Sequence, residues 1–438
     1  MTWGAALALM LGTTIGLMLL RLPVAFAFFG ANIVGAWIFL GGERGLVHLS
    51  RSFVDSIGTF QLAPVALFIL MGELLFRTGV AFRAIDAIDR LIARVPGRLA
   101  VVSVAGGTVF SALSGSTLAN TAMLGKTLLP EMRRRNYAKS ISLGPILGTG
   151  GIAMLIPPSG LAVLLGSLSG ISIVGILLAG AIPGIIMALT HTGYVIARCT
   201  IQPSLAPAYD LPEMSAWERW GPFVIYVVPL LSLFAVVVGS ILVGFATPSE
   251  SAALGAVGAL ALAACYRSLS WERIVTALRE TGELTVMILF IIGASLTFSQ
   301  ILSFSGATSG LLSTVTGAEL SPLWLVVAML AIMLFLGCIM DPVSIMLICL
   351  PFFMPLAEQA GLPLIWFGVC MLLALEIGQT TPPFGVLLFV MKGVAPPDVT
   401  MRDIYVAVAP FIVLEVALLA GLVTWPGLVE WLPTMLAW

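Results

Sequence analysis

Charge is scarce in this chain. Lys, Arg, Asp and Glu make up 9% of its 438 residues, while 60% are hydrophobic; a soluble domain carries about 25% charged residues. A water-soluble globular enzyme is therefore excluded. The 20 basic residues balance 21 acidic ones, net −1, which leaves no concentrated basic face for a nucleic-acid partner. Histidine is nearly absent: His48 falls in an amphipathic segment and His191 near the end of a span, and neither reads as a ligand. The sequence has no HExxH, GxxxxGK[ST] or GxSxG, so neither a membrane hydrolase nor ATP hydrolysis by this chain is expected, and no cofactor is implied. Five cysteines without a CxxC pair read as small core residues, not as a disulfide or metal set. The first twenty residues lack a basic n-region and an A-x-A site before Arg21 and are expected to be a retained span.

What is present is long apolar runs. At roughly 20 residues per crossing, the chain has room for about a dozen crossings of a lipid bilayer, which defines an all-α polytopic membrane protein. Full spans are expected near residues 3–20, 22–41, 61–76, 172–197, 221–243, 248–266, 284–303 and 404–424. Residues 99–113 and 117–129 are each about 20 Å long as helices, too short to cross a 30 Å hydrocarbon core twice. Joined by Ser114-Gly115-Ser116, they read as a re-entrant hairpin. Residues 140–170 are long enough to span but are interrupted by Gly148-Thr149-Gly150-Gly151 and Pro157-Pro158, which breaks the helix. Residues 322–337 and 342–356 form a second half-length pair around Gly337–Asp341, and residues 362–395 are interrupted by Gly378-Gln379-Thr380-Thr381-Pro382-Pro383.

An offset of 225 places Pro23 on Pro248, Pro130 on Pro355, Pro157-Pro158 on Pro382-Pro383, and Gly160 on Gly385. An internal duplication follows, with a first repeat over 1–197, a connector over 198–220 and a second repeat over 221–438. Arg77, Arg83, Arg90, Arg94 and Arg98 precede the first hairpin and Arg133, Arg134, Arg135 and Lys139 follow it, whereas residues 304–321 and 357–363 contain no Lys or Arg. By the positive-inside rule the first hairpin enters from the cytoplasm and the second from outside. That is an inverted repeat, the construction of many secondary transporters. Residues 43–58 and 270–282 are amphipathic and are expected to lie along the membrane surface.

Unwound backbone at midplane depth offers carbonyls to cations, and the half-helix after it offers free N–H groups to carboxylates. Side-chain oxygens from Ser111, Ser114, Ser116, Thr117, Asn120, Thr149 and Ser159 surround the first tip and break; Asp341, Ser344, Thr380 and Thr381 hold the equivalent places in the second half. Two similar cation sites with a solute site between them are expected. The competing reading is helix capping, by Ser116 and by the Asp341-Pro342 and Thr381-Pro382 pairs. Glu73, Glu376 and Glu415 are further acids in or near spans. Glu73 has Arg77 four residues on as a helix-face partner, and Glu376 is open between a coupling role and a solvated helix end. Lys126, four residues from Pro130, is expected to snorkel.

The chain resembles the large, DctM-like membrane subunit of tripartite ATP-independent periplasmic (TRAP) transporters. The resemblance rests on RLPVAFAF (21–28), SALSGSTLANTAMLGKTLLPEM (111–132), IPPSGLAVLLGSLSGISIVGILLAGAIPG (156–184), GFATPSESAALGA (244–256), MDPVSIMLICLPFFMPLAEQAGLPLIWFGV (340–369) and IGQTTPPFGVLLFVMKGVAP (377–396). It implies a Na⁺-coupled importer of a small organic acid in the bacterial inner membrane, moving its cargo by an elevator mechanism. It also implies two separate partners: a small four-helix membrane subunit and a periplasmic substrate-binding protein. Carried over onto this sequence, the solute-binding positions are Ser116, Asn120, Ser159, Asp341 and Thr381. The Na⁺ positions are Ser114, Gly115, Thr149, Gly150, Asp341, Gly378 and Thr380. Relatives often have an acid where Asn120 stands and a small residue where Lys126 stands. A stand-alone carrier of the divalent-anion or arsenite type, and a facilitative pore, are alternatives with similar architecture.

Overall fold

The computed structural model describes residues 1–59, 62–92, 95–207, 214–317 and 320–435, without the side chains of 112–114. Arg94, Pro212 and the Ser114 side chain thus lie outside the described residues. Among the described residues there is no strand.

Among the described residues, six helices are long and apolar enough to cross a membrane: Ile173–Ile201, Ala216–Leu242, Pro248–Cys265, Trp271–Phe304, Pro342–Gln359 and Met401–Thr424. A seventh crossing is added if Ala63–Arg77 and Val80–Leu91, bent by 64°, form one span. The expected spans over 3–20 and 22–41 are the shorter helices Trp3–Leu19 and Val24–Phe39, separated by a turn in which Arg21 takes φ +66° and Pro23 precedes the second helix. Start signals are explicit. Thr247-Pro248-Ser249-Glu250 folds into a reciprocal capping box, as does Thr400 with Asp403, so each helix start satisfies its own free N–H groups.

Both halves carry a helical pair, then a broken helix, then a long helix. In the first half these are Arg98–Ser114 with Thr117–Arg134, then Lys139–Gly150 and Gly160–Ser169 flanking a 3₁₀ turn over Gly151–Met154, then Ile173–Ile201. In the second they are Pro322–Gly337 with Pro342–Gln359, then Leu364–Thr380 and Val386–Val394, then Met401–Thr424.

Two expectations need correction. Glu43–Ile57 is a separate amphipathic helix ending at Gly58, but residues 270–282 are not: they are the first turns of the continuous 34-residue helix Trp271–Phe304. Gly58 and Pro64 punctuate the first half, whereas no proline occurs between Trp271 and Phe304, and the isolated Gly282 does not stop a helix. The connector is also shorter than 198–220. The preceding helix runs on to Ile201, and the next begins at Ala216 behind a Ser215–Glu218 capping box.

The centre of the bundle is Leu364–Thr380, which is buried on every side from Trp366 to Thr380. It packs on Pro322–Gly337, Pro342–Gln359, Ile173–Ile201 and Met401–Thr424. A helix apolar all round belongs in such a position. Trp366 is satisfied by a neighbour, its Nε1 donating to the Leu422 carbonyl at 2.7 Å, whereas the Glu376 carboxyl on the same helix is buried without a partner. Val24–Phe39 packs on Trp271–Phe304, pinned where Asn32 Nδ2 donates to the Ala294 carbonyl at 2.6 Å and to Thr297 Oγ1 at 2.7 Å.

Candidate solute and ion site

The first tip turns at Gly115, whose φ of +57° favours a residue without Cβ. Its close approach to the first break demands the same: a Cβ there would lie 3.1 Å from the Pro158 carbonyl oxygen. Ser116 then caps Thr117–Arg134, its Oγ accepting from Ala119 N at 3.3 Å, and Ser159 caps Gly160–Ser169, accepting from Ala162 N at 3.2 Å. Two helix N-termini therefore converge where hairpin and break touch.

Behind this junction lies a dry polar cluster. Asn120, fully buried, donates from Nδ2 to Ser111 Oγ at 2.6 Å and to the Gly107 and Thr149 carbonyls at 3.2 Å each. Its Oδ1 and the hydroxyl of the adjacent Thr121 are buried without hydrogen-bond partners. Thr149 Oγ1 donates to the Pro145 carbonyl at 2.5 Å. Gly150 leaves room for the Thr121 hydroxyl, against which a Cβ would collide. Unpartnered oxygens beside carbonyls are the donor type that hard cations take.

At the second tip Asp341 caps Pro342–Gln359: Oδ1 accepts from Ser344 N at 3.1 Å, and Oδ2 from the Ser344 hydroxyl. Gly337 meets Gly378 of the broken helix backbone to backbone, a Cβ on Gly337 falling 2.5 Å from the Gly378 Cα. Thr380 and Thr381 both donate to the Ile377 carbonyl, at 3.0 and 2.6 Å. Thr381 is thus not the N-cap that the Thr381-Pro382 pair suggests. It ends the preceding helix, and Gly385 stands at the N-cap of Val386–Val394 without a side-chain bond. The three-residue stretch Pro383-Phe384-Gly385 separates Pro382 from that helix, so the proline never occupies its first turn.

Tips and breaks face one cavity of about 460 Å³. Gly115, Ser116 and Asp341 line it together with Thr117, Ser344 and Gln379, against a wall from Ala63–Arg77 and Trp271–Phe304. Asn120, Thr149, Gly150, Ser159, Gly378, Thr380 and Thr381 are not among its described lining residues. Its described ionisable groups are Glu73 and Asp341, with no Lys or Arg. Lys126 is exposed and outside this lining, as the snorkelling reading requires. Glu73 keeps Arg77 as partner at 3.5 Å, and Arg77 also pairs with Glu280.

Gln379 is the cavity residue that sequence reasoning passed over. Its Oε1 accepts from Thr117 Oγ1 at 3.3 Å and its Nε2 lies 3.9 Å from Met154 Sδ, so it touches the first hairpin and the first break from the second. Its place inside the GQTTPP string was the available signal. Glu376 is fully buried with both oxygens unpartnered, which rules out the solvated helix end.

Fold and site together define a polytopic membrane protein in which hairpin tips and broken helices enclose a solute-sized cavity. The family model for the tripartite ATP-independent periplasmic transporter, DctM component, matches residues 11–428. The ectoine TRAP transporter large permease protein TeaC of Halomonas elongata is 30% identical over 95% of this chain and 96% of its own length. The C4-dicarboxylate TRAP transporter large permease protein DctM of Pseudomonas aeruginosa is 30% identical over 83% and 85%, and the 2,3-diketo-L-gulonate TRAP transporter large permease protein YiaN of Escherichia coli 28% over 97% and 98%. Among solved structures, the YdaH transporter of Alcanivorax borkumensis superposes with a TM-score of 0.63 at 14% identity, covering 89% of this chain and 90% of its own, a likeness of fold. MtrF of Neisseria gonorrhoeae gives 0.59 at 16% identity, covering 88% and 83%. The chain belongs to the DctM family of TRAP transporter large permeases, and it is a multi-pass protein of the bacterial inner membrane and not an enzyme.

Proposed function

We propose that this chain carries a small organic acid across the inner membrane, coupled to Na⁺, by an elevator movement of its hairpins and broken helices against the outer helices. The observation that carries the reading is the cavity in which Ser116 and Asp341, one from each tip, face a wall of other helices. Relatives named for ectoine, C4-dicarboxylates and 2,3-diketo-L-gulonate support a small solute. With no basic side chain among the described lining residues, its carboxylate is held by the N-termini that Ser116 and Asp341 cap and by the bound cations.

In this reading Ser116 and Asp341 serve the solute from the cavity lining, and Asn120, Ser159 and Thr381 serve it from behind that lining. Ser114, Gly115, Thr149, Gly150, Asp341, Gly378 and Thr380 serve Na⁺ as backbone or side-chain oxygens. The unpartnered Asn120 Oδ1 and Thr121 Oγ1 beside the Thr149 carbonyl fit the first cation. The two halves act as inverted repeats joined after Ile201. A periplasmic binding protein delivers the solute, and a small four-helix subunit braces the static helices. Vesicles containing all three components test this: uptake should vanish without a Na⁺ gradient. Uptake sustained by a proton gradient alone, or independent of the binding protein, would refute the coupling or the delivery.

A further inference from the structure

His191, on Ile173–Ile201, and Glu415, on Met401–Thr424, face each other in the interior of the bundle. Both are fully buried, and the closest atoms, His191 Nε2 and Glu415 Oε1, are 3.6 Å apart. All four side-chain heteroatoms of the pair lack hydrogen-bond partners. The ring of Phe411, one turn before Glu415, closes over His191 edge to face at 5.0 Å, so the pair is dry on that side.

Among the described residues no Lys or Arg is paired with either group. Glu376, on Leu364–Thr380, is the one charged group whose field is felt at Glu415, and it has the same sign. On the other helices packed against the pair, Lys139 is engaged by Asp403 and the Asp398 carbonyl, Arg98 by Asp89, and Lys392 by the Val399 carbonyl. Gly427–Met435 contributes a further acid, Glu430. On their own helices, Tyr194 stacks on Phe411 at 5.3 Å, and the other ionisable groups are Arg198, Cys199, Arg402, Asp403 and Tyr405, toward the helix ends. Among the described residues no three His, Cys, Asp or Glu side chains are placed to hold a metal ion.

Two ionised groups sealed from water cost several kcal/mol each unless other hydrogen bonds compensate, and here none do. A neutral carboxyl facing a neutral imidazole removes both charges, and a hydrogen bond between them partners Glu415 Oε1 and His191 Nε2, two of the four bare heteroatoms. We propose that His191 and Glu415 form an interior proton-binding site, with the proton resting on Glu415 and the imidazole accepting from it. Neither residue lines the cavity or is one of the proposed Na⁺ positions. The site joins the long helix after the first break to a helix that packs on both broken helices, so gain or loss of this proton acts on the elements that the transport reading moves.

Infrared spectroscopy of the purified full-length chain in an ester-free detergent, with and without ¹³C-labelled glutamate, tests the proposal without relying on transport. At neutral pH the wild type should show a protonated-carboxyl band that moves with the label. The component of the band that shifts in His191→Phe should be lost in Glu415→Gln and retained in Glu376→Gln. A wild type without the band overturns the site whatever the variants do. So does a band lost in Glu376→Gln but kept in Glu415→Gln, or one abolished by replacing choline chloride with sodium chloride, which would mark a cation site instead. Failure of Na⁺-driven uptake would leave this spectrum unchanged.

Discussion

Glu376 occupies the space that a side chain on Gly151 would need. A Cβ built on Gly151 coincides with the Glu376 carboxyl, and the two positions are 225 residues apart, the offset that superposes Pro157-Pro158 on Pro382-Pro383. Gln379 and Met154, in contact at 3.9 Å, stand at the same separation. The two breaks thus meet through residues that a duplication would make equivalent.

Gly151→Ala should destabilise the protein by about 1–3 kcal/mol, the usual cost of overpacking a close-packed interior. Melting followed by size-exclusion chromatography measures it. Glu376→Ala in the same chain should restore most of the loss, since it vacates the site; a double variant no better than the single would show that the crowding lies elsewhere.

Asp341→Asn separates capping from ion binding. Asparagine caps a helix about as well as aspartate, so expression and melting should stay near wild type while uptake is abolished. Ser116→Ala should abolish uptake too, and should also cost about 0.5–2 kcal/mol through the lost cap. Full uptake in both variants would remove these residues from the site.

Asn120→Asp tests the polar cluster behind the first tip. The amide donates to two carbonyls and a hydroxyl; a carboxylate there would face those carbonyls with nothing between them unless a cation binds. The variant should melt below wild type in choline chloride and gain more than wild type on addition of sodium chloride. An equal shift in both proteins would exclude a cation at this place.

Arg133, at the end of the first hairpin, donates both its bonds to Asp398, in the segment after the second broken helix, at 2.7 Å. Those hydrogen bonds hold the Asp398 carboxyl below its ordinary value. A carboxyl lowered in the folded state contributes stability that is full above its unfolded value of about 3.9 and is lost as pH falls through the folded one. Between about pH 5 and pH 3, Asp398→Asn should therefore lose less melting temperature than wild type. Parallel pH profiles would leave this ion pair without a stabilising share.

Proline pairs and glycine strings were enough to mark where both helical pairs turn and where both later helices break, because backbone that cannot hold a helix announces itself locally. The continuous Trp271–Phe304 helix was not legible, since an amphipathic stretch looks alike whether it turns along a surface or continues straight into a span. Nor was the burial of Glu376, His191 and Glu415, which depends on which helices close around them.

The sequence by itself determined that this is a membrane-embedded, all-helical protein interrupted at two tips and two breaks: too few charges for water, and too many interruptions for simple spans. Only the tertiary structure decided that Ser116 and Asp341 share a cavity with Gln379, while Asn120 and Thr149 sit behind it and His191 meets Glu415. Those groupings join residues up to 263 positions apart, and proximity at such range is set by the packing of whole helices, to which no local pattern of residues responds.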